Sequence, residues 1–227
     1  MTKVVLIHTV DGNVKVFGDL VAEIAPDLPA EHVVDASLLG DTIAAGELTD
    51  EVRQRFRERV EAARSDGADV IMLTCSSVGP SADGLGEELG VTVLRVDEAM
   101  AERAVELGPR VGVAATLPTT LGPTADLIKR AAVKLGLPVE VTTRLAEGAF
   151  QVLQAGDGAE HDRLVVAALI ELASSVDVIV LAQASMARAT GGAAELADRE
   201  RRVPILTSPR LGIERLRDVV ESVGSRQ

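Results

Sequence analysis

The chain has 227 residues, 47% of them hydrophobic, a formal net charge of −12 and almost no aromatic side chains: three Phe, no Trp, no Tyr. That length serves one large α/β domain or two small ones, with a core of Val, Leu, Ile and Ala. The negative balance argues against a nucleic-acid partner, which needs a cationic face, and the missing rings remove base stacking.

Val4-Val-Leu-Ile7 is a short β-branched run, read as a strand buried on both faces and ending at His8-Thr9. It is too short for the core of a signal peptide, and no stretch approaches a membrane span, so a soluble cytoplasmic protein is expected. Asp11-Gly-Asn13 turns into a helical segment to about Ile24, closed by Pro26 and Pro29. His32–Asp35 reads as a second strand and Ser37–Leu48 as a polar loop, a lid or a plain connection. Thr49 caps the clearest helix: Asp50 and Glu51 occupy its first turn, and Val52, Phe56, Val60 and Ala63 form one apolar face. Gly67 is placed to end it. The strand Val70–Thr74 leads to Cys75, Gly79-Pro80 punctuates, and a short helix reaches about Leu89. A strand Val91–Val96 and a helix Glu98–Leu107 follow.

The second half repeats the plan. Val111–Ala115 is a strand, Leu117–Thr120 a loop, Thr124–Leu135 a helix and Val139–Thr143 a strand. Helical segments cover about Ala146–Leu153 and Asp162–Ser174, separated by a loop at Gly156–His161. Val178–Ala182 is a strand, Ser185 or a neighbour starts a helix, Val203–Thr207 is a strand, Ser208-Pro209 turns, and Leu211–Val223 is a terminal helix. Lys3 matches Arg110, Asp69 matches Asp177 and Val91 matches Val203, at offsets of 107, 108 and 112. A period of half the chain means a duplicated lobe, not a solenoid. The expected fold is α/β: two pseudo-symmetric lobes, each a four-stranded, mostly parallel sheet with helices on both faces. The first lobe spans 1–108, with a C-terminal helix at about 212–227 packing back on it; the second spans 109–211. Right-handed crossovers place the strand C-termini on one edge, where ligands bind in such sheets, so the site is expected in a cleft between the lobes.

Those C-termini carry the candidate chemistry. Cys75, the one cysteine, excludes an internal disulfide and fits a reducing compartment. At a helix N-terminus its thiolate would be stabilised; as a lone cysteine it would equally serve as a small buried hydrophobe. Its counterpart in the repeat is Gln183. Ser76 and Ser77, and Thr116, Thr119 and Thr120 in the other half, supply hydroxyls and amides that suit a small carboxylate better than a phosphate, although each alone reads as capping or turn chemistry. His8 is a base, a donor to substrate, or a satisfied histidine. His32 and His161 share no ligand spacing with it, so no metal site is expected. Gly84-Leu-Gly86-Glu-Glu-Leu-Gly90 lacks the dinucleotide spacing and precedes a strand, and no phosphate loop occurs, so no cofactor is expected.

Leu73-Thr74-Cys75-Ser76-Ser77, Leu181-Ala182-Gln183-Ala184-Ser185-Met186 and Thr207-Ser208-Pro209 together resemble the aspartate/glutamate racemase superfamily, which includes hydantoin racemases, maleate isomerases and arylmalonate decarboxylase. The resemblance covers nearly the whole chain. It implies a cofactor-independent enzyme acting on a small carboxylate, with a homodimer as the assembly. In its racemases two cysteines face opposite sides of a carbon next to a carboxyl or carbonyl. Carried over, Cys75 is the acid/base and Ser76, Ser77 and Thr116 are carboxylate or oxyanion donors, with backbone N–H groups from Ala184 and Ser185 and with Gln183 orienting substrate by hydrogen bonds; His8, Thr9, Thr119 and Thr120, near the same strand ends, are further substrate-binding candidates. Gln183 stands where racemases usually carry the second cysteine, and an amide exchanges no proton near neutral pH. That leaves proton chemistry on one face: an isomerisation with Cys75 as sole shuttle, a decarboxylation with Cys75 as proton donor, or an inactive paralogue that binds a small carboxylate.

Overall fold

The computed structural model describes residues 2–189 and 203–224. The chain divides into two compact units, one running to Asp97 and resuming at Pro209, the other Glu98–Ser208. The division falls at Asp97, ahead of the expected boundary at 108, because the helix Glu98–Leu107 packs on the helix Pro118–Leu135 of the second unit. The last three residues of the terminal segment 212–227 lie outside the described residues.

The first unit holds β1 (Val4–His8), α1 (Gly12–Ile24), β2 (Ala30–Val34), α2 (Ala36–Ala45), α3 (Asp50–Ser65), β3 (Val70–Leu73), α4 (Leu85–Leu89) and β4 (Thr92–Arg95). The second holds α5 (Glu98–Leu107), β5 (Arg110–Ala115), α6 (Pro118–Leu135), β6 (Glu140–Leu145), α7 (Ala149–Gln154), α8 (Gly158–Ala173), β7 (Val178–Leu181) and β8 (Ile205–Thr207). A last helix, α9 (Ser208–Gly224), returns to the first unit. Both sheets are parallel, four-stranded and identically ordered: β2-β1-β3-β4 and β6-β5-β7-β8. Their registers reproduce the sequence offsets. Val4 pairs with Val70 where Val111 pairs with Val178, and Ile71 pairs with Val93 where Ile179 pairs with Ile205.

One duplicated contact locks each sheet at its start. The Lys3 N–H donates to the Asp69 carboxylate at 2.8 Å, and the Asp69 N–H returns to the Lys3 carbonyl. The Arg110 N–H donates to Asp177 at 3.1 Å, and the Asp177 N–H returns to the Arg110 carbonyl. Strand alternation then sorts the core of the first unit. Val5, Ile7, Ile71 and Leu73 meet Leu38 of α2 and Val52, Phe56 and Val60 of α3. Val4, Leu6, Val70 and Met72 meet Phe17 and Val21 of α1 and Ile213 and Leu216 of α9. In the second unit Ile179 and Leu181 pack with Val165, Leu169 and Leu172 of α8.

Four expected loops or turns are helical. Asp35, expected to end a strand, caps α2 instead, accepting from the Ser37 N–H at 3.1 Å, so most of the expected loop Ser37–Leu48 is helical, to Ala45, with Leu38 and Thr42 buried and Gly46 (φ 76°) ending the helix. Leu117–Thr120 leads into and opens α6, because Pro118 sits in the first turn, where its missing N–H costs nothing. Gly156–His161 contains the start of α8, capped by Asp157 through the Glu160 N–H at 3.0 Å. Ser208-Pro209 opens α9. The strand expected at Val203–Thr207 shortens to its last three residues.

Phe56 is fully buried between the helices and strands of its face. Phe56→Ala is expected to lower unfolding free energy by about 3–5 kcal/mol, as measured by urea denaturation.

Candidate functional site

In a parallel sheet the backbone bonds are spent along the strands, and polar groups gather where the strands stop. In the first unit β3 ends at Leu73, and Thr74 and Cys75 follow. Cys75 shows only 9% of its surface. The chain beyond it is not an α-helix, as expected, but a tight turn. The Gly79 N–H donates to the Ser76 carbonyl at 3.2 Å, and a single 3₁₀ turn covers Gly79–Ser81. Within this turn the Ser77 and Val78 N–H groups donate to the sulfur, as does the Thr9 hydroxyl from the end of β1. Burial nevertheless pushes the Cys75 thiol up, Asp97 adds to the rise, and the three donors only oppose it. Of the two readings of this cysteine, burial favours the neutral one: at rest the group is a protonated thiol with hydrogen-bond donors around its sulfur.

The second unit repeats this frame with a different side chain. Gln183 stands two residues beyond the end of β7, as Cys75 stands two beyond β3. Thr116 stands one beyond β5, as Thr9 stands one beyond β1. The Thr116 N–H donates to Gln183 Oε1 at 2.6 Å and its hydroxyl donates to the same oxygen at 3.0 Å. A backbone N–H can only donate, so the atom facing it is the amide oxygen, and the Gln183 NH2 is turned away from Thr116 as a donor. Thr116 thus holds Gln183 with both of its donors, as Thr9 meets the thiol in the first unit.

His8 is fully buried, and both ring nitrogens are taken. Nδ1 lies 2.8 Å from Thr74 Oγ1, and Nε2 lies 2.8 Å from His32 Nδ1, with the two imidazoles stacked. The Thr74 hydroxyl gives its proton to the Ile7 carbonyl at 3.2 Å, so it accepts from His8 Nδ1–H; His8 Nε2 then accepts from His32 Nδ1–H. The chain of bonds runs one way, from His32 through His8 and Thr74 to the backbone. Burial, then the His32 charge, lowers the His8 pKa to about 4. His8 is a satisfied, neutral histidine on the α1 face beside Phe17, not a base or substrate donor.

Ser76 and Ser77 are buried in the Cys75 turn. Thr119 and Thr120 lie in the first turn of α6; the Thr119 hydroxyl is buried without a hydrogen-bond partner, and the Thr120 N–H returns to Leu117. Ala184 and Ser185 begin a 3₁₀ turn anchored by buried Met186, with Ser185 exposed. Sequence reasoning missed Arg95 and Asp97. They form a buried ion pair at the end of β4, with Nε and Nη2 at 3.0 and 3.1 Å from the carboxylate, and Asp97 is the carboxylate that acts on the thiol. The signal lay in Arg95-Val-Asp97, two charges closing an otherwise apolar strand.

The description "Asp/Glu/hydantoin racemase" fits residues 11–216. No curated protein matches the chain. Among solved structures, a glutamate racemase from Bacillus anthracis is 17% identical, with 98% of this chain and 83% of that one covered and a TM-score of 0.77. An allantoin racemase from Klebsiella pneumoniae is also 17% identical, covering 97% and 88%, with a TM-score of 0.69. An arylmalonate decarboxylase is 20% identical, covering 96% and 91%, with a TM-score of 0.56. At these identities the likenesses concern the fold. Among the described residues no helix is long and apolar enough to cross a membrane.

The His8 environment has a measurable consequence. Between the ordinary histidine value of about 6.5 and the folded value of about 4, the unfolded chain binds a proton at His8 that the folded chain does not. Stability is therefore expected to fall as pH drops through that window, with a slope of at most about 1.4 kcal/mol per pH unit from this group. His32, also lowered by burial, adds in the same direction. Urea midpoints of the wild type and His8→Gln between pH 7.5 and 4 check this: the variant's curve is expected to be the flatter.

Proposed function

Because the chain belongs to the Asp/Glu/hydantoin racemase family, we propose that it catalyses proton transfer at a carbon next to the carboxylate or carbonyl of a small acid, without a cofactor, with Cys75 as its single acid/base. The observation that carries this reading is the duplicated frame. Thr9 holds a thiol in one unit, and Thr116 holds an amide at the equivalent place in the other. A thiol can give and take a proton; an amide cannot near neutral pH. Two-base racemisation is therefore unavailable, and the chemistry is confined to the face that Cys75 serves.

In the proposed isomerisation the Cys75 thiol first gives its proton to solvent; the thiolate then takes the α-proton, exchanges it with solvent, and delivers a proton on the same face at another atom of the delocalised anion. While the sulfur is anionic, the Thr9 hydroxyl and the Ser77 and Val78 N–H groups stabilise it. Gln183, its oxygen fixed by Thr116, offers its NH2 to the enolate oxygen, the electrostatic task of an oxyanion hole. Ser76, Thr119 and Thr120, with the N–H groups of Ala184 and Ser185, bind the substrate carboxylate in this reading.

A second reading is favoured by the raised thiol pKa. A resting S–H is already the acid that a decarboxylase needs. Loss of CO2 from an activated acid leaves an enolate, the Cys75 S–H bond gives its proton to the carbon, and the resulting thiolate is reprotonated from solvent.

Incubation with small 2-substituted acids and malonates in D2O distinguishes these paths. Solvent deuterium in the product without CO2 is the expected result for isomerisation. Release of CO2 with one deuterium incorporated is expected for decarboxylation. Ligand-induced stabilisation with neither reaction indicates a carboxylate-binding protein that has lost catalysis. Cys75→Ala is expected to reduce turnover by at least about 100-fold; unchanged turnover overturns both catalytic readings. Gln183→Cys places a proton-exchanging group at the second frame and is expected to introduce racemisation of a chiral substrate or product, measured by chiral chromatography.

A further inference from the structure

We propose that Arg95 is a positioning residue for Cys75, holding in place both the turn that carries the thiol's donors and the carboxylate that faces it. The proposal rests on the reading of Cys75 as the proton-transfer group. Arg95 closes β4 and is 5% exposed, while Asp97 is 1% exposed. Its guanidinium grips Asp97 with two bonds and reaches Asp83 through Nη1 at 3.1 and 3.3 Å. It also lies flat against the Cys75 turn. A methyl group built on Gly79 would stand 2.5 Å from Nη2, 2.7 Å from Cζ and 2.9 Å from Nε, so only glycine leaves room for the guanidinium there. Gly79 in turn bonds Ser76 and so closes the loop whose Ser77 and Val78 N–H groups meet the sulfur.

Each neighbour of the sulfur has a defined role. Thr9 comes from the end of β1, the two N–H groups from the turn itself, and Asp97 from the end of β4; Arg95 and Asp83 stand behind Asp97. A buried ion pair is a poor means of gaining stability, since well-packed apolar residues do as well or better. Its placement here has a second consequence. The fork keeps Asp97 charge-compensated beside the thiol, and the flat face of the same group limits how far the donor turn can move. A lysine ammonium has neither the fork nor the plane.

Cys75 is the one cysteine in the chain, so alkylation by iodoacetamide reports on it alone. The test is the pH midpoint of alkylation in the folded protein. Arg95→Met leaves Asp97 uncompensated and the turn unsupported; its midpoint is expected to rise by about one pH unit. Asp97→Asn removes the facing charge while Arg95 keeps Asp83; its midpoint is expected to fall by about one pH unit. Midpoints that coincide with the wild type, or that move together in one direction, overturn the proposal, because a merely structural role predicts no opposed shifts. If Arg95→Met fails to fold, Arg95→Lys decides, because it keeps the charge and loses the fork and the plane: a raised midpoint supports the proposal, and an unchanged or lower one overturns it. The measurement needs no substrate. Failure of the proton-transfer reading is seen instead in unchanged turnover of Cys75→Ala.

Discussion

Both sheets bury their central strands on both faces, and this constraint governs the rest of the molecule. Val4–Ile7, Val70–Leu73 and Val178–Leu181 leave no polar side chain along their length. Polar chemistry is pushed to the ends. At the N-terminal ends it is structural: Asp69 and Asp177 accept the N–H that starts the neighbouring strand. At the C-terminal ends it includes the thiol, the glutamine and the threonines that hold them.

The two units show how one frame carries different chemistry. A hydroxyl one residue past the first strand meets whatever stands two residues past its neighbour. In the first unit that is a sulfur, fully engaged and kept protonated by burial. In the second it is an amide oxygen, which occupies the acceptor position and leaves a donor turned away. The hydrogen-bond arrangement is alike in the two units, but the amide carries no proton that exchanges near neutral pH.

His8 and Arg95 owe their surroundings to packing more than to their places in the chain. His8 sits at a strand end, where ligands bind, yet strand alternation turns it to the α1 side and into a closed chain of hydrogen bonds. Arg95 belongs to an acidic, charge-rich chain, yet it is buried against Gly79 and Asp97. In both cases the deciding factor is the sheet face on which the side chain emerges and what has packed there.

The sequence by itself determined the duplication, the alternation of strands and helices, the parallel sheets and the pairing of Cys75 with Gln183. These follow from local signals: apolar runs of strand length, caps such as Thr49, and offsets of 107 to 112 residues that the registers reproduce. It misread Ser37–Leu48, Leu117–Thr120, Gly156–His161 and Ser208-Pro209, which hold or adjoin helix starts capped by Asp or opened by Pro. Only the tertiary structure decided the state of the thiol, the orientation of the Gln183 amide and the burial of His8 and Arg95. Desolvation and hydrogen-bond partners are properties of surroundings assembled from distant segments. Cys75 lies 66 residues from Thr9, and Gln183 lies 67 from Thr116; no local pattern in the chain encodes what such a pair will do when it meets.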